Sequence, residues 1–440
     1  MSKLRERLSD KSLATDTAWA FAFELVSLAA NLVSFGLLGR HLGAKAYGDY
    51  IGIFAVTAPF GALASSGTSL TLLQHGIRER EDLQSVFRSC LSMSIFASIV
   101  SSSIAIPVAV HVVSSLSALT LMCFVLAEFL GSSMSVVAAT TIQVGKGFGP
   151  AARARIVPIA IRIVLLIGLT AFGHLRLKTL GPAYLATSLV VGAGMLKYSS
   201  TKNGLTISLG RVRKAHLKDA VLYSVGISAM SIQNDGDKAV MTANNLGRDT
   251  GLYAAAYKIV QLGLVPIGSL IASSHQKFLE HDPNARNQHV RRTYRFTLIA
   301  IAYGLTFGAG MYVLAPFLTR LLGGDYKDAT STIRWLAPFV LARGVGTFAV
   351  NGLMGLGKNG ARTLLLIGGA SLSMVLYITL IPRHSWRGAV AATLISEATF
   401  TVCAWLCLLY YQAKHNQGLL VLDGLGSQQL VTEIHSESVL

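Results

Sequence analysis

Charge is what this chain of 440 residues has least of: Asp, Glu, Lys and Arg together make up 13% of it, about half the share found in a soluble domain. A water-facing surface for the whole chain cannot be built from so little. Acids are scarcer than bases, 21 against 38. There are only four cysteines, Cys90, Cys123, Cys403 and Cys407, all in apolar runs without metal-ligating neighbours, so they read as small lipid- or core-facing residues. Long polar segments are missing as well. No stretch between apolar runs exceeds about 25 residues, which leaves no room for a separate catalytic domain. No His-Glu-x-x-His or paired Cys-x-x-Cys motif occurs, and the eleven histidines are scattered, mostly in loops. Gly352-x-x-x-x-Gly357-Lys358 falls short of a phosphate-binding loop, because Asn359 stands where Ser or Thr should hold magnesium and the segment follows an apolar helix. An ATP-driven pump is therefore not expected, and neither is a resident cofactor.

What the chain does have is apolar length. A bilayer core about 30 Å thick needs roughly 20 helical residues, and twelve runs approach or exceed that: 15–39, 48–73, 87–110, 112–142, 155–173, 180–197, 219–243, 251–276, 296–319, 329–354, 361–381 and 388–411. The first run is too long for the core of a cleavable signal peptide and counts as a span. Alternating the spans with the amino terminus inside places 24 cations in the cytoplasm and 9 outside, so the net charge of +17 reads as membrane topology, with both termini cytoplasmic, and not as affinity for nucleic acid. The expected fold is an all-α polytopic membrane protein of about twelve transmembrane helices. The basic loop 199–218 divides it into halves 1–198 and 219–411, with 412–440 as a cytoplasmic tail. Leu38-Gly39-Arg40-x-x-Gly43 and Leu246-Gly247-Arg248-x-x-Gly251, each just after the first span of its half, are a faint internal echo.

Ionised side chains are costly in mid-bilayer and mark function by default. Glu24, Glu128, Arg162, Asp235, Asp237, Lys238, Lys258, Arg334, Arg343 and Glu397 fall inside spans. In the seventh span Ser224, Ser228, Ser231, Asp235, Lys238 and Thr242 follow helical spacing and form a polar stripe expected to line a hydrated lumen. Asp237 is off that stripe and is expected at the outer interface. Glu24, Ser27, Asn31 and Ser34 repeat the pattern in the first span, and Lys258 and Gln261 share a side of the eighth. Arg334 and Arg343 point in opposite directions on a straight helix, so Arg343 is expected to be the deeper one. Cations in a cavity suit phosphate or carboxylate groups. Arg162, Lys238, Lys258 and Arg343, with Asn31 and Gln261, are thus the candidate substrate-binding residues. Glu24, Asp235, Glu397 and Glu128 are candidates for coupling to a proton or sodium gradient. The alternative reading pairs each acid with a base as glue between helices. Gly304-x-x-x-Gly308 and the 42 glycines overall fit close helix packing in lipid.

Several motifs fall at the span ends. Arg40-x-Leu42-Gly43-x-x-x-Tyr47-Gly48, Gly251-x-Tyr253-x-x-Ala256-x-Lys258, Pro316 with Leu321-Leu322-Gly323-x-x-Tyr326, Gly355-x-Gly357-Lys358 and Gly388-Ala389-Val390-x-Ala392-Thr393 closely resemble the Wzx-type polysaccharide flippases of the multidrug/oligosaccharidyl-lipid/polysaccharide exporter superfamily. The resemblance covers residues from about 15 to 411. It implies two six-helix bundles around a V-shaped central cavity, a bacterial inner-membrane location, and passage of an undecaprenyl-diphosphate-linked oligosaccharide to the periplasmic leaflet for surface polysaccharide synthesis. It further implies membrane lipids, a polysaccharide polymerase and glycosyltransferases as partners, and roles for the charges of the first and seventh helices, here Glu24, Asp235 and Lys238. The chain departs from the similar lipid II flippases in having twelve spans where they have fourteen, and in lacking a basic residue midway along the first helix. The competing readings are a multidrug cation exporter of the same superfamily and a membrane saccharide polymerase or acyltransferase.

Overall fold

A computed structural model describes residues 2–268, 286–322, 324–356 and 358–437, and among them every regular element is helical. The elements are α1 Ser2–Gly61, α2 Gly67–Leu73, α3 Leu83–Val112, α4 Ala118–Leu126, α5 Ser133–Lys146, α6 Phe148–Ala171, α7 Leu177–Asn203, α8 Lys214–Ala243, α9 Gly247–Gln261, α10 Arg286–Leu322, α11 Ala329–Leu336, α12 Phe339–Gly355 and α13 Asn359–Glu437. Eight described helical stretches are long and apolar enough to cross a membrane; two of them, Ala22–Ile77 and Gly360–Lys414, run to 56 and 55 residues. That is more than twice what one crossing needs, and each is broken inside. Gly43 breaks the first at φ 76°, ψ 169°, a backbone open to glycine and strained for any residue with a Cβ. Ser385 breaks the second at φ 50°, ψ −132°. The protein is thus a polytopic all-α membrane protein, and each expected span falls on a helix, the eighth running on from α9 beyond the described residues.

By internal contact the chain forms two compact units: Met1–Lys258 with Ala315–Thr332 and Ser373–Ala392, and Ile259–Leu314 with Ile333–Leu372 and Thr393–Leu440. In the first unit the helices of the second and fourth spans are interrupted by π-turns, Ala62–Ser66 and Ala127–Ser132. A π-turn widens the ring of backbone hydrogen bonds and leaves carbonyls poorly served, and buried carbonyls need partners. Serines on neighbouring helices supply them. Ser94 donates to the Ala64 carbonyl at 2.8 Å, Ser224 to Ala62 at 3.1 Å, Ser228 to Pro59 at 2.7 Å, and Ser98 to Phe129. Ser224 and Ser228 belong to the polar stripe of α8, so in its N-terminal half that stripe is a seam against the second span and not a wall of water.

Several of the motif residues that gave the family resemblance meet in the same unit. Gly48 and Gly251 face one another so closely that a Cβ on Gly48 would lie 1.9 Å from the Gly247 carbonyl, and one on Gly251 would lie 1.9 Å from that of Ala44. Beside this crossing Tyr47 packs edge-on to Tyr326 at 6.5 Å, and the Tyr326 hydroxyl donates to the Gly39 carbonyl at 3.3 Å. Arg248 pairs with Asp328 at 3.0 Å, and Ser385 bonds Asp249. In the second unit Gly304 lets α10 approach α12, since a Cβ there would reach Leu341 Cα at 2.8 Å. Ala349, Val350 and Leu353 of α12 then pack with Phe400, Ala404 and Leu408 of α13.

Candidate functional site: a charged network within the spans

Three expected residues come together within the first unit, around α8 and α9. Lys238 is buried, with its Nζ 3.1 Å from Asp235 Oδ1, 3.1 Å from Asp237 Oδ1 and 2.6 Å from the Asn234 carbonyl. It also stands over the Tyr257 ring, 3.9 Å from the centroid. Asp237 is not at an interface as its place off the stripe suggested. It is 0% exposed, accepts from the Tyr253 hydroxyl at 2.6 Å and the Lys238 backbone N–H at 2.7 Å, and so closes a fully bonded centre. The i,i+1 relation of Asp237 to Lys238 hides this in a helical wheel. The long lysine stem folds back across its own turn to reach both flanking carboxylates.

Lys258 is half-buried one turn along α9 from Tyr253, close enough to Asp235, Lys238 and Arg162 to feel their charges. Arg162 of α6 donates to the Tyr50 hydroxyl and lies over two rings, 5.6 Å from the Phe54 centroid and 4.9 Å from that of Tyr184. Aromatic faces are a favourable bed for a guanidinium, and this one lies in a row of rings, Tyr50 packing against Phe54 at 4.8 Å and Phe124 at 5.9 Å. Glu128, on the second π-turn, accepts from Ser132 at 2.8 Å and Tyr184 at 3.1 Å. Arg155, one turn before Pro158 on α6, is held by Gln143 at 2.7 Å.

Arg162, Arg155, Glu128, Tyr184 and Pro158 line a cavity of about 540 Å3, together with Phe23, Ser66, Ser69 and Ser132. That is the size of a small-molecule site. Among the described residues, no carboxylate lies within 4 Å of Arg155, Arg162 or Lys258. The centre therefore has two parts: a neutralised triad of Lys238 with two aspartates, and three cations with no carboxylate within 4 Å among the described residues, of which Arg155 is held by an amide and Arg162 by a hydroxyl and two rings.

The other expected residues lie elsewhere. Arg343 and Glu397 form their own ion pair in the second unit, 2.9 Å apart with Glu397 1% exposed. Arg334 turns away to the Tyr312 carbonyl and ring, because the chain leaves the helix between Leu336 and Phe339 and the two arginines sit on separate helices. Glu24 and Asn31 are exposed on α1, and Gln261 is half-buried at the end of α9. Sequence reasoning singled out Asp237 but misplaced it, and missed Tyr253, Tyr184, Tyr50 and Arg155. The tyrosines carried no charge to mark them, yet each holds a charged partner in place; Arg155 read as a loop cation.

Residues 37–331 match the family described as "Polysaccharide biosynthesis protein". Comparison with curated protein sequences finds no match. Among solved structures, the chain is similar to a multidrug resistance MATE family transporter of the MOP superfamily in its inward-facing conformation, with TM-score 0.68 and 16% identity over 88% of this chain and 96% of that one. The outward-facing conformation of such a transporter gives TM-score 0.62 and 16% identity over 91% and 96%. A MOP superfamily transporter from Pyrococcus furiosus, whose title reports a binding pocket of reverse polarity that suggests a different function, gives TM-score 0.56 and 15% identity over 91% and 93%. These likenesses extend over nearly the whole chain and show the fold.

Proposed function

Since this chain belongs to the polysaccharide biosynthesis protein family and has the fold of MOP superfamily transporters, we propose that it flips a polyprenyl-diphosphate-linked oligosaccharide from the cytoplasmic to the outer leaflet of a bacterial inner membrane. One observation carries the reading. Arg155, Arg162 and Lys258 lie within the spans without a carboxylate partner among the described residues, and cations kept in that state in a wall of low dielectric suit a diphosphate. Arg162 can offer a forked pair of N–H groups to phosphate oxygens, and the apolar lining of the cavity suits the first isoprene units beside it. Alternating access would arise from the halves 1–198 and 219–411, with both termini cytoplasmic. Asp235, 39% exposed beside Lys238, and Glu128 would respond to a proton or sodium gradient, as would Glu24. Moving one charge through 100 mV is worth about 2.3 kcal/mol. No cofactor is needed for such a cycle, and the glycosyltransferases and polymerase of the pathway would be its partners.

The second reading has an observation of its own, since the solved structures of this fold named above include multidrug transporters. A site for organic cations calls for carboxylates without partners, and here the acids of the network, Asp235, Asp237 and Glu128, are bonded. Reconstitution in liposomes decides between them. A fluorescent polyprenyl-diphosphate sugar should become accessible on the opposite leaflet, and Arg162→Gln should slow this at least about tenfold, the cost of one charge-assisted hydrogen bond. Proton-driven efflux of an organic cation with no lipid flipping would replace the proposal by the exporter. Elongation of the lipid-linked sugar would replace it by a polymerase.

A further inference from the structure

The densest set of titratable side chains away from the network lies where the second span leaves its helix and α8 begins. His75 is on the π-turn Gln74–Arg78, Glu79 and Glu81 are in the segment before α3, and His216 and Asp219 are in the first turns of α8. Both imidazoles are buried, at 2% and 0% exposure, with ring centroids 4.3 Å apart. Glu81 reaches both rings: Oε1 is 2.8 Å from His75 Nδ1, and Oε2 is 3.3 Å from His216 Nε2. Glu79 Oε2 lies 2.7 Å from the same His75 Nδ1, and Asp219 Oδ2 is 3.0 Å from His75 Nε2.

We propose that His75, Glu81 and His216 form a binding site for a divalent first-row metal ion, with zinc the best fit and the fourth position left to water. The donor types are those of a mixed histidine and carboxylate zinc site. One ligand atom from each of the three residues lies within 4.8 Å of the others. Bonds of about 2.05 Å in a tetrahedron set ligand atoms about 3.3 Å apart, so the contacts of Glu81 with the two rings, at 2.8 and 3.3 Å, need to open by at most about half an ångström. Charge points the same way: Glu79, Glu81 and Asp219 bring three carboxylates to the two rings, with Arg213 bonding Glu81, and an acidic surround favours a cation.

The outer contacts are those that orient metal ligands. His216 Nδ1 meets Ser89 Oγ at 2.9 Å, which turns Nε2 toward Glu81. Gln74 donates to Glu79 at 2.9 Å and to Asp219 at 3.3 Å, and is itself held by the Tyr223 hydroxyl. An ion here would tie the end of the second span to the start of α8, joining ligands that are 135 residues apart in the case of Glu81 and His216. The site is independent of what the protein transports.

The test is zinc binding by the purified full-length protein in detergent, after chelator stripping and dialysis, followed by metal analysis and titration with a competing indicator. The wild type should hold about one zinc per chain, and its thermal unfolding temperature should rise on zinc addition. Ser89→Ala should weaken binding by about tenfold or more while leaving the three ligands in place, and His216→Gln should abolish it. A stripped wild type that binds no zinc overturns the proposal whatever the variants do. So does a folded His216→Gln protein, judged by a single gel-filtration peak, that binds zinc as the wild type does.

Discussion

Replacing Lys238 by methionine tests whether the triad on α8 is architecture. The substitution keeps most of the stem's volume and removes the charge, the two ion-pair contacts at 3.1 Å and the bond to the Asn234 carbonyl. Asp235 is 39% exposed and can be hydrated, whereas Asp237 is 1% exposed and would keep only the Tyr253 hydroxyl and one backbone N–H. Leaving one member of a buried pair uncompensated costs about 3–5 kcal/mol. Asp237→Asn combined with Lys238→Met removes both charges while the amide oxygen still accepts from Tyr253, so the double variant should return to within about 1.5 kcal/mol of the wild type. Denaturant unfolding in detergent micelles, read with the Asp237→Asn single variant to complete the cycle, supplies the coupling energy. A Lys238→Met protein as stable as the wild type, or a double variant no better than the single, would refute the reasoning. The liposome assay adds a second axis: Lys238→Met should lose protein, while Arg162→Gln should lose flipping with its stability intact.

Two further expectations concern packing and orientation. Gly251→Val should sharply reduce the yield of folded protein, because its side chain would be driven into the Ala44 carbonyl, whereas Gly226→Ala should leave yield and unfolding unchanged, since nothing lies within 4 Å of its Cβ. In a cysteine-free background, Phe172→Cys, at a position 78% exposed, should react with a membrane-impermeant maleimide on intact cells, and Leu209→Cys, 67% exposed, should react only after lysis; the reverse pattern would invert the topology.

The span positions were legible because they follow from length and apolarity, which the bilayer imposes on any helix that crosses it. The breaks at Gly43 and Ser385 separate two pairs of spans that are otherwise continuous helix. Charge in the spans was also legible as a marker, since Arg162, Asp235, Lys238 and Lys258 do gather in one unit. Partnership was not. Whether a buried lysine is free or neutralised depends on which rotamer reaches which neighbour, and Asp237 is a partner at i−1 that no wheel places on the same face. Arg343 and Glu397 lie 54 positions apart on different helices, and their pairing rests on how α12 and α13 pack. His75 and His216 were passed over for the same reason: no local spacing joins the end of the second span to the start of the seventh.

The family motifs carry a different lesson about where recognition and function separate. Tyr47, Gly48, Gly251 and Tyr326 are among the residues by which the chain resembles its relatives, and they serve the crossing at which two backbones come within a Cβ of contact. A close crossing tolerates few residue types, so it leaves a strong mark on sequence while saying nothing of cargo. A wide cavity tolerates many, and its chemistry is set by which charges lack partners. For this protein the decision between a lipid-linked diphosphate and an organic cation thus falls not to that crossing but to Arg155, Arg162 and Lys258. Exchanging Arg162 for glutamate should reverse the preference of the site if the sign of its charge selects the cargo. If flipping of the diphosphate sugar survives that exchange, the selecting contacts lie outside this cavity.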